Sequence, residues 1–138
     1  MKKKQKQQPI QKPHVKRGDT VIVIAGNKDR EQDTRHPNRK PKAGVIGKTG
    51  VVKRVFPEKG LVLVEGLNMI KKAVKPNPML GQSGGIVEME APIAISNVML
   101  YDLATSKPTR TRKELVQTAD SKTRRVRVSK QTGEQIDA

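Results

Sequence analysis

The sequence predicts an all-β protein, a small antiparallel barrel with basic flanks. Short β-branched runs recur through the middle of the chain, and Gly and Pro separate them. No stretch repeats with helical period. Together these features describe a barrel of short strands rather than a layered α/β fold.

The first strand is Thr20-Val21-Ile22-Val23-Ile24, β-branched throughout, entered through Gly18-Asp19 and stopped by Gly26. Gly50-Val51-Val52-Lys53-Arg54-Val55 is the second, punctuated by Pro57 and Gly60. Leu61-Val62-Leu63-Val64-Glu65-Gly66 is the third, and the link from Phe56 to Gly60 is short enough for a hairpin. Gly85-Ile86-Val87-Glu88-Met89-Glu90 alternates and is the fourth. Ile93-Ala94-Ile95, then Val98-Met99-Leu100-Tyr101, supply a fifth. Closure of such strands removes edges that would otherwise aggregate.

The flanks divide the chain. Residues 1–14 read as a disordered basic arm, 15–104 as the barrel domain with an inserted loop at 27–46, and 105–138 as a basic C-terminal extension. Val126-Arg127-Val128 alternates and is a candidate last strand. The arm, the loop and the extension are each expected to lie on a partner and to order there.

Composition bounds what the chain does. Of 138 residues, 29 are Lys or Arg and 13 Asp or Glu, a net charge of +16. Leu, Ile, Val and Phe number 32, so a core can form, but a small one made mainly of Val and Ile. With no Cys, disulfides, thiolate metal sites and thiol nucleophiles are excluded. The longest apolar run, Val21 to Ala25, is far short of the ~20 residues that span a bilayer. Met1-Lys2-Lys3-Lys4 is basic but has no apolar stretch behind it, so a signal peptide is not expected. These features predict a soluble intracellular protein with a polyanion partner, most simply nucleic acid, and no membrane partner.

Catalytic and metal constellations fail on spacing. Gly44-Val45-Ile46-Gly47-Lys48-Thr49 looks like the end of a phosphate-binding loop, but Lys42 stands where the first Gly belongs and a strand follows instead of a helix. His14 and His36 have no second ligand at metal spacing. Glu88 and Glu90 share a strand face without a His or third acid nearby, and read as that strand's polar side. No cofactor and no small-molecule substrate are expected.

The cations are different in kind: Lys53, Arg54, Lys71, Lys72 and Lys75 have no acid at pairing distance in sequence. The phosphate-binding candidates are Lys12, Lys16 and Arg17 in the arm and at its end, and Lys28, Arg30, Arg35, Arg39, Lys40 and Lys42 in the loop. Lys53 and Arg54 interrupt the second strand, Lys71, Lys72 and Lys75 follow the third, and Arg110, Arg112, Arg124 and Arg125 lie in the extension. Phe56 and Tyr101 are the only aromatic residues, whereas single-strand readers stack bases on aromatic rings. The expected target is folded, backbone-rich RNA or duplex shape.

Lys16-Arg17-Gly18-Asp19-Thr20-Val21-Ile22-Val23-Ile24-Ala25-Gly26, resumed by Gly47-Lys48-Thr49-Gly50-Val51-Val52, resembles a KOW motif. Val64-Glu65-Gly66-Leu67-Asn68, Lys71-Lys72, Lys75-Pro76, Gly84-Gly85-Ile86-Val87-Glu88 and Ser96-Asn97-Val98 follow in the order of the bacterial-type large-subunit ribosomal protein L twenty-four family. Thr105 to Arg110 and Thr132-Gly133-Glu134-Gln135-Ile136-Asp137 resemble that family's C-terminal part.

The resemblance implies an SH3-like barrel without catalytic activity, held in the cytoplasmic ribosome or an organelle one. It implies binding to large-subunit rRNA near its 5′ region, contact with neighbouring ribosomal proteins, early entry into assembly and a place by the polypeptide exit tunnel. It also adds Lys48 and Thr49 as RNA-binding residues, in a turn that the family uses for RNA. Gly18, Gly26, Gly47 and Gly50 are expected to permit tight turns or close approach to phosphate. The family usually has only a few residues where this chain has 27–46, so that turn is rebuilt here. The alternative is a transcription elongation factor built round a KOW module, which normally carries an α/β domain ahead of it. The residues before Gly18 are too few to hold one.

Overall fold

The computed structural model describes residues 12–28 and 44–137. Most of the arm and of the loop, including Arg30, Arg35, Arg39, Lys40, Lys42 and His36, lies outside the described residues. Among the described residues ten strands follow in order: β1 (Thr20–Val23), β2 (Thr49–Phe56), β3 (Leu61–Val64), β4 (Met69–Val74), β5 (Gly85–Glu90), β6 (Ile93–Ala94), β7 (Val98–Asp102), β8 (Lys107–Thr109), β9 (Thr111–Gln117) and β10 (Thr123–Ser129). All their pairings are antiparallel.

Six strands form one sheet in the order β6-β3-β2-β1-β7-β8, while β4–β5 and β9–β10 are separate hairpins. The inward positions of the sheet, Val21, Val23, Val52, Val62, Val64, Ile93, Val98 and Leu100, meet in one core with Val15, Leu67 and Ile95 from its connections. This is the all-β, SH3-like arrangement, and its core is built of small branched side chains. β1 and β3 each alternate half-buried and buried positions, as strands with one face on a core must. Each fully buried Val contributes on the order of 1.5 kcal/mol by leaving water.

A bulge shapes β2. Val52 faces Val64 and Arg54 faces Leu63, leaving Lys53 as the extra residue. The extra residue lets Lys53 and Arg54 both point to solvent, while Val52 and Val55 pack inward. A strict alternation would have forced one cation of the pair into the core.

Three parts of the fold differ from the sequence reading. Met69–Val74 is a strand, paired with β5 from Met69↔Glu90 to Val74↔Gly85. All its residues are exposed, so it carries no core face to reveal it. The expected fifth strand is broken by a 3-10 turn at Ile95–Asn97 into β6 and β7, which pair with different neighbours, β3 and β1. Residues 105–137 were expected to order only on a partner, yet β8 extends the main sheet through β7, and β9 and β10 form a seven-pair hairpin.

Of the four singled-out glycines, Gly18, Gly26 and Gly47 have φ of +90°, +133° and +80°, which suits turns. Gly50 is not a turn residue. It lies on β2, where a Cβ would stand 2.7 Å from Val64 Cγ1 and 3.0 Å from the Glu65 carbonyl oxygen. Its role is close packing of β2 on the strand beside it.

Candidate nucleic-acid interface

Every described candidate, Lys12, Lys16, Arg17, Lys28, Lys48, Thr49, Lys53, Arg54, Lys71, Lys72, Lys75, Arg110, Arg112, Arg124 and Arg125, is exposed. The fold sorts them by their partners. Lys53 Nζ donates to both oxygens of Glu90, at 2.7 and 2.9 Å. Lys71 lies opposite Glu88 across the hairpin, 3.6 Å from its Oε1. Arg112 reaches Glu114 at 2.6 Å, and Lys16 reaches Asp137 at 3.0 Å. Sequence neighbours gave no hint of three of these pairs, because Glu90, Glu88 and Asp137 arrive from distant positions or from the facing strand, whereas Glu114 stands two residues from Arg112 on the same strand.

The remaining described candidates make no ion pair among the described residues. Arg17 precedes β1, Lys48 stands before β2, and Lys72 and Lys75 belong to the β4–β5 hairpin. Arg54 lies over the Phe56 ring, 5.1 Å from its centroid, an arrangement that steadies a guanidinium without cancelling its charge. Arg124 and Arg125 share a hollow of about 390 Å³ with Lys16 and Asp137. Arg110 lines another with Lys130 and His14. The candidate cations thus line more than one hollow of the surface. Among the described residues, no group of His, Asp and Glu could hold a metal ion.

The inserted loop leaves the barrel through a closed neck. The Val45 N–H donates to the Asn27 carbonyl at 2.8 Å, and Gly47 and Lys48 exchange bonds with Val23 at 2.8 and 3.0 Å. Asn27, Gly44 and Lys48 line one hollow with Gly66, Leu67, Asn68 and Met69, at the foot of the β4–β5 hairpin. Lys48 therefore sits between loop and hairpin.

Arg127 was missed as an anchor. It reads in sequence as the outward residue of an alternating strand, but its side chain is only 8% exposed. It donates to Asp19 Oδ2 at 2.6 Å and Oδ1 at 2.9 Å, to Asp137 Oδ1 at 2.6 Å, and to the His14 carbonyl at 3.2 Å. The cluster ties β10 to the segment that enters β1, and so fixes the hairpin bearing Arg124 and Arg125 against the barrel. Asp19 in turn caps the turn before β1 by accepting from the Lys16 N–H at 2.7 Å.

Electrostatics follow this geometry. The bonds to Asp19 and then Asp137 raise the Arg127 pKa further above its usual range, despite partial desolvation. Asp137 is held well below the usual carboxylate range, first by Arg127 and then by Lys16. The bond to Glu90 raises Lys53. Glu90 is lowered, first by Lys53 and then by the Gly66 N–H, which donates to it at 3.1 Å. Each of these four shifts, at Arg127, Asp137, Lys53 and Glu90, favours the charged form.

Comparison with known proteins agrees with this architecture. The family model described as "Large ribosomal subunit protein uL24, C-terminal domain" matches residues 67–136. A protein named large ribosomal subunit protein uL24 from Listeria monocytogenes serotype 4a is 46% identical over 124 residues, covering 90% of this chain and 98% of the relative. Proteins of the same name from Staphylococcus carnosus and Hahella chejuensis are 44% and 42% identical over 123 residues, each covering 89% of this chain and 95% and 96% of the relative.

Proposed function

The chain belongs to the uL24 family of large-ribosomal-subunit proteins, and from that premise we propose that it binds large-subunit rRNA, enters the subunit early in assembly and lies near the polypeptide exit tunnel. It is a structural constituent of the cytoplasmic ribosome, not an enzyme. The observation that carries RNA binding is the set of exposed candidate cations without an ion-pair partner among the described residues: Lys12, Arg17, Lys28, Lys48, Arg54, Lys72, Lys75, Arg110, Arg124 and Arg125. Each offers a charge that a phosphate can take without first displacing an acid. Their spread over barrel and hairpins suits the bridging of RNA segments that would otherwise repel. Neighbouring ribosomal proteins would complete its surroundings. The assembly and exit-tunnel parts of this reading rest on the family resemblance.

The test is titration of a large-subunit rRNA transcript at several salt concentrations. Six to eight phosphate contacts would give a slope of log K against log salt of about −5 to −7. A slope shallower than about −2 would reject the interface. For assembly and placement, a map of the assembled subunit would have to hold the chain beside the exit tunnel; a position elsewhere refutes that part.

A further inference from the structure

Lys53 and Arg54 are adjacent, both exposed and both at the β2 bulge, yet their surroundings differ. Lys53 is held by both oxygens of Glu90. Glu90 is the last residue of β5 and also accepts the Gly66 N–H, from the turn that leads out of β3 toward β4. Beside it, the Ala91 N–H donates to the Asn68 carbonyl at 2.9 Å, and Asn68 Nδ2 donates to the Ala91 and Pro92 carbonyls, each at 3.4 Å. Every bond in this group joins the foot of the β4–β5 hairpin to itself or to β2. The hairpin above it has no residue in the core, so packing does not fix its direction.

We propose that Glu90 withdraws Lys53 from the phosphate-binding surface and uses it to set the angle at which the β4–β5 hairpin leaves the barrel, leaving Arg54 as the phosphate-binding member of the pair. A phosphate at Lys53 would have to displace a carboxylate bound through two oxygens. The displaced carboxylate, still next to Gly66, would then repel it. Among the described residues Arg54 has no such competitor. Its guanidinium rests on Phe56, which leaves its N–H groups free for phosphate. The bulge explains how adjacent residues divide the work: it turns both side chains outward but gives only Lys53 a path to β5.

The Arg54 part rests on the rRNA reading, while the Lys53 part does not, so two measurements separate them. The first titrates the 5′ domain of large-subunit rRNA with the full chain and with Arg54→Gln and the charge-reversed Lys53→Glu/Glu90→Lys. Arg54→Gln should lower the salt slope by about one, a loss of affinity about 3.5-fold smaller than wild type when salt rises fourfold. The reversed pair, which keeps the hairpin and its Lys72 and Lys75 in place, should leave the slope unchanged. The second measurement uses no RNA: residual dipolar couplings of hairpin amides, relative to the barrel. Lys53→Gln and Glu90→Gln should reorient the hairpin, whereas Arg54→Gln and the reversed pair should not. A one-unit drop in slope for the reversed pair, or an unmoved hairpin in both Lys53→Gln and Glu90→Gln, overturns the proposal. A wild-type chain with no salt-dependent binding defeats the rRNA reading and the Arg54 part, and the couplings still decide Lys53.

Discussion

Replacing Arg127 by Met would test the central tie of the fold. Met keeps the length and apolar stem of the side chain while removing its charge. The side chain is 8% exposed and holds Asp19, itself 10% exposed, through a two-bond fork. Removing one partner of a buried pair costs about 3–5 kcal/mol, because the other charge stays buried and uncompensated. The lower end applies here. Asp137 is 20% exposed and keeps Lys16 at 3.0 Å, so the main cost falls on Asp19. The expected loss is roughly 3 kcal/mol, or on the order of 10 °C in Tm for a chain of this size.

Urea unfolding followed by far-ultraviolet circular dichroism would measure it, with the m-value unchanged, since the same surface is exposed on unfolding. The mechanism makes a further demand. Adding Asp19→Asn to Arg127→Met should restore more than about 1 kcal/mol, because the stranded charge is gone while the amide oxygen still accepts the Lys16 N–H. A loss below about 1 kcal/mol, or no recovery in the double variant, would refute the view that Arg127 acts by compensating buried acid.

Three other outcomes are expected. Asp137 has a depressed folded pKa, so its stabilisation is complete above the ordinary value of 3.8 and disappears as pH falls through the lower folded value. Urea midpoints should therefore drop more steeply in acid for wild type than for Asp137→Asn, and parallel profiles would contradict this. Gly50→Ala should cost about 1–3 kcal/mol, since its Cβ would lie 2.7 Å from Val64 Cγ1; an unchanged urea midpoint would count against the close packing of β2. Gly84→Ala puts a Cβ 2.5 Å from Pro76 Cδ and 2.7 Å from Pro76 N, at the neck of the hairpin tip. It should speed amide exchange at Asn77 and Gln82, which bond each other's carbonyls, without moving the global melting point. Unaltered exchange would show that the tip tolerates the clash.

Most of the strands that were legible have a core face; β5, which has none, was legible from its alternation alone. In β1 and β3, Val recurs at every second position because those positions are buried, and alternation is a property of sequence. β4 has no buried position, and the adjacent Lys71 and Lys72 both reach solvent, so there was no alternation to see. The C-terminal strands are veiled in the same way over most of their length, where basic and Thr residues are exposed. The cations were legible as charges but not as pairs. Glu90 is 37 positions from Lys53, and Asp19 is 108 from Arg127. Such distances are closed only by the fold. The same sequence line thus held a phosphate candidate, Arg54, and a structural tie, Lys53, that composition alone made equivalent.

The placement of β1 in the middle of the sheet has a kinetic consequence. Its neighbours are β2 on one side and β7 on the other, where Val21 pairs with Leu100 and Val23 with Val98. The β2–β3, β4–β5 and β9–β10 hairpins join strands close in sequence and can form within microseconds, before distant segments meet. Seating β7 on β1 instead requires closure of a long loop, the slow kind of step in β folding. Until β7 is made and seated, β1 presents a bare apolar edge, the feature most prone to pairing with another chain. During synthesis, then, the dangerous interval opens when β1 emerges and ends only with β7, and a strand-shielding chaperone would be useful to this protein across that span.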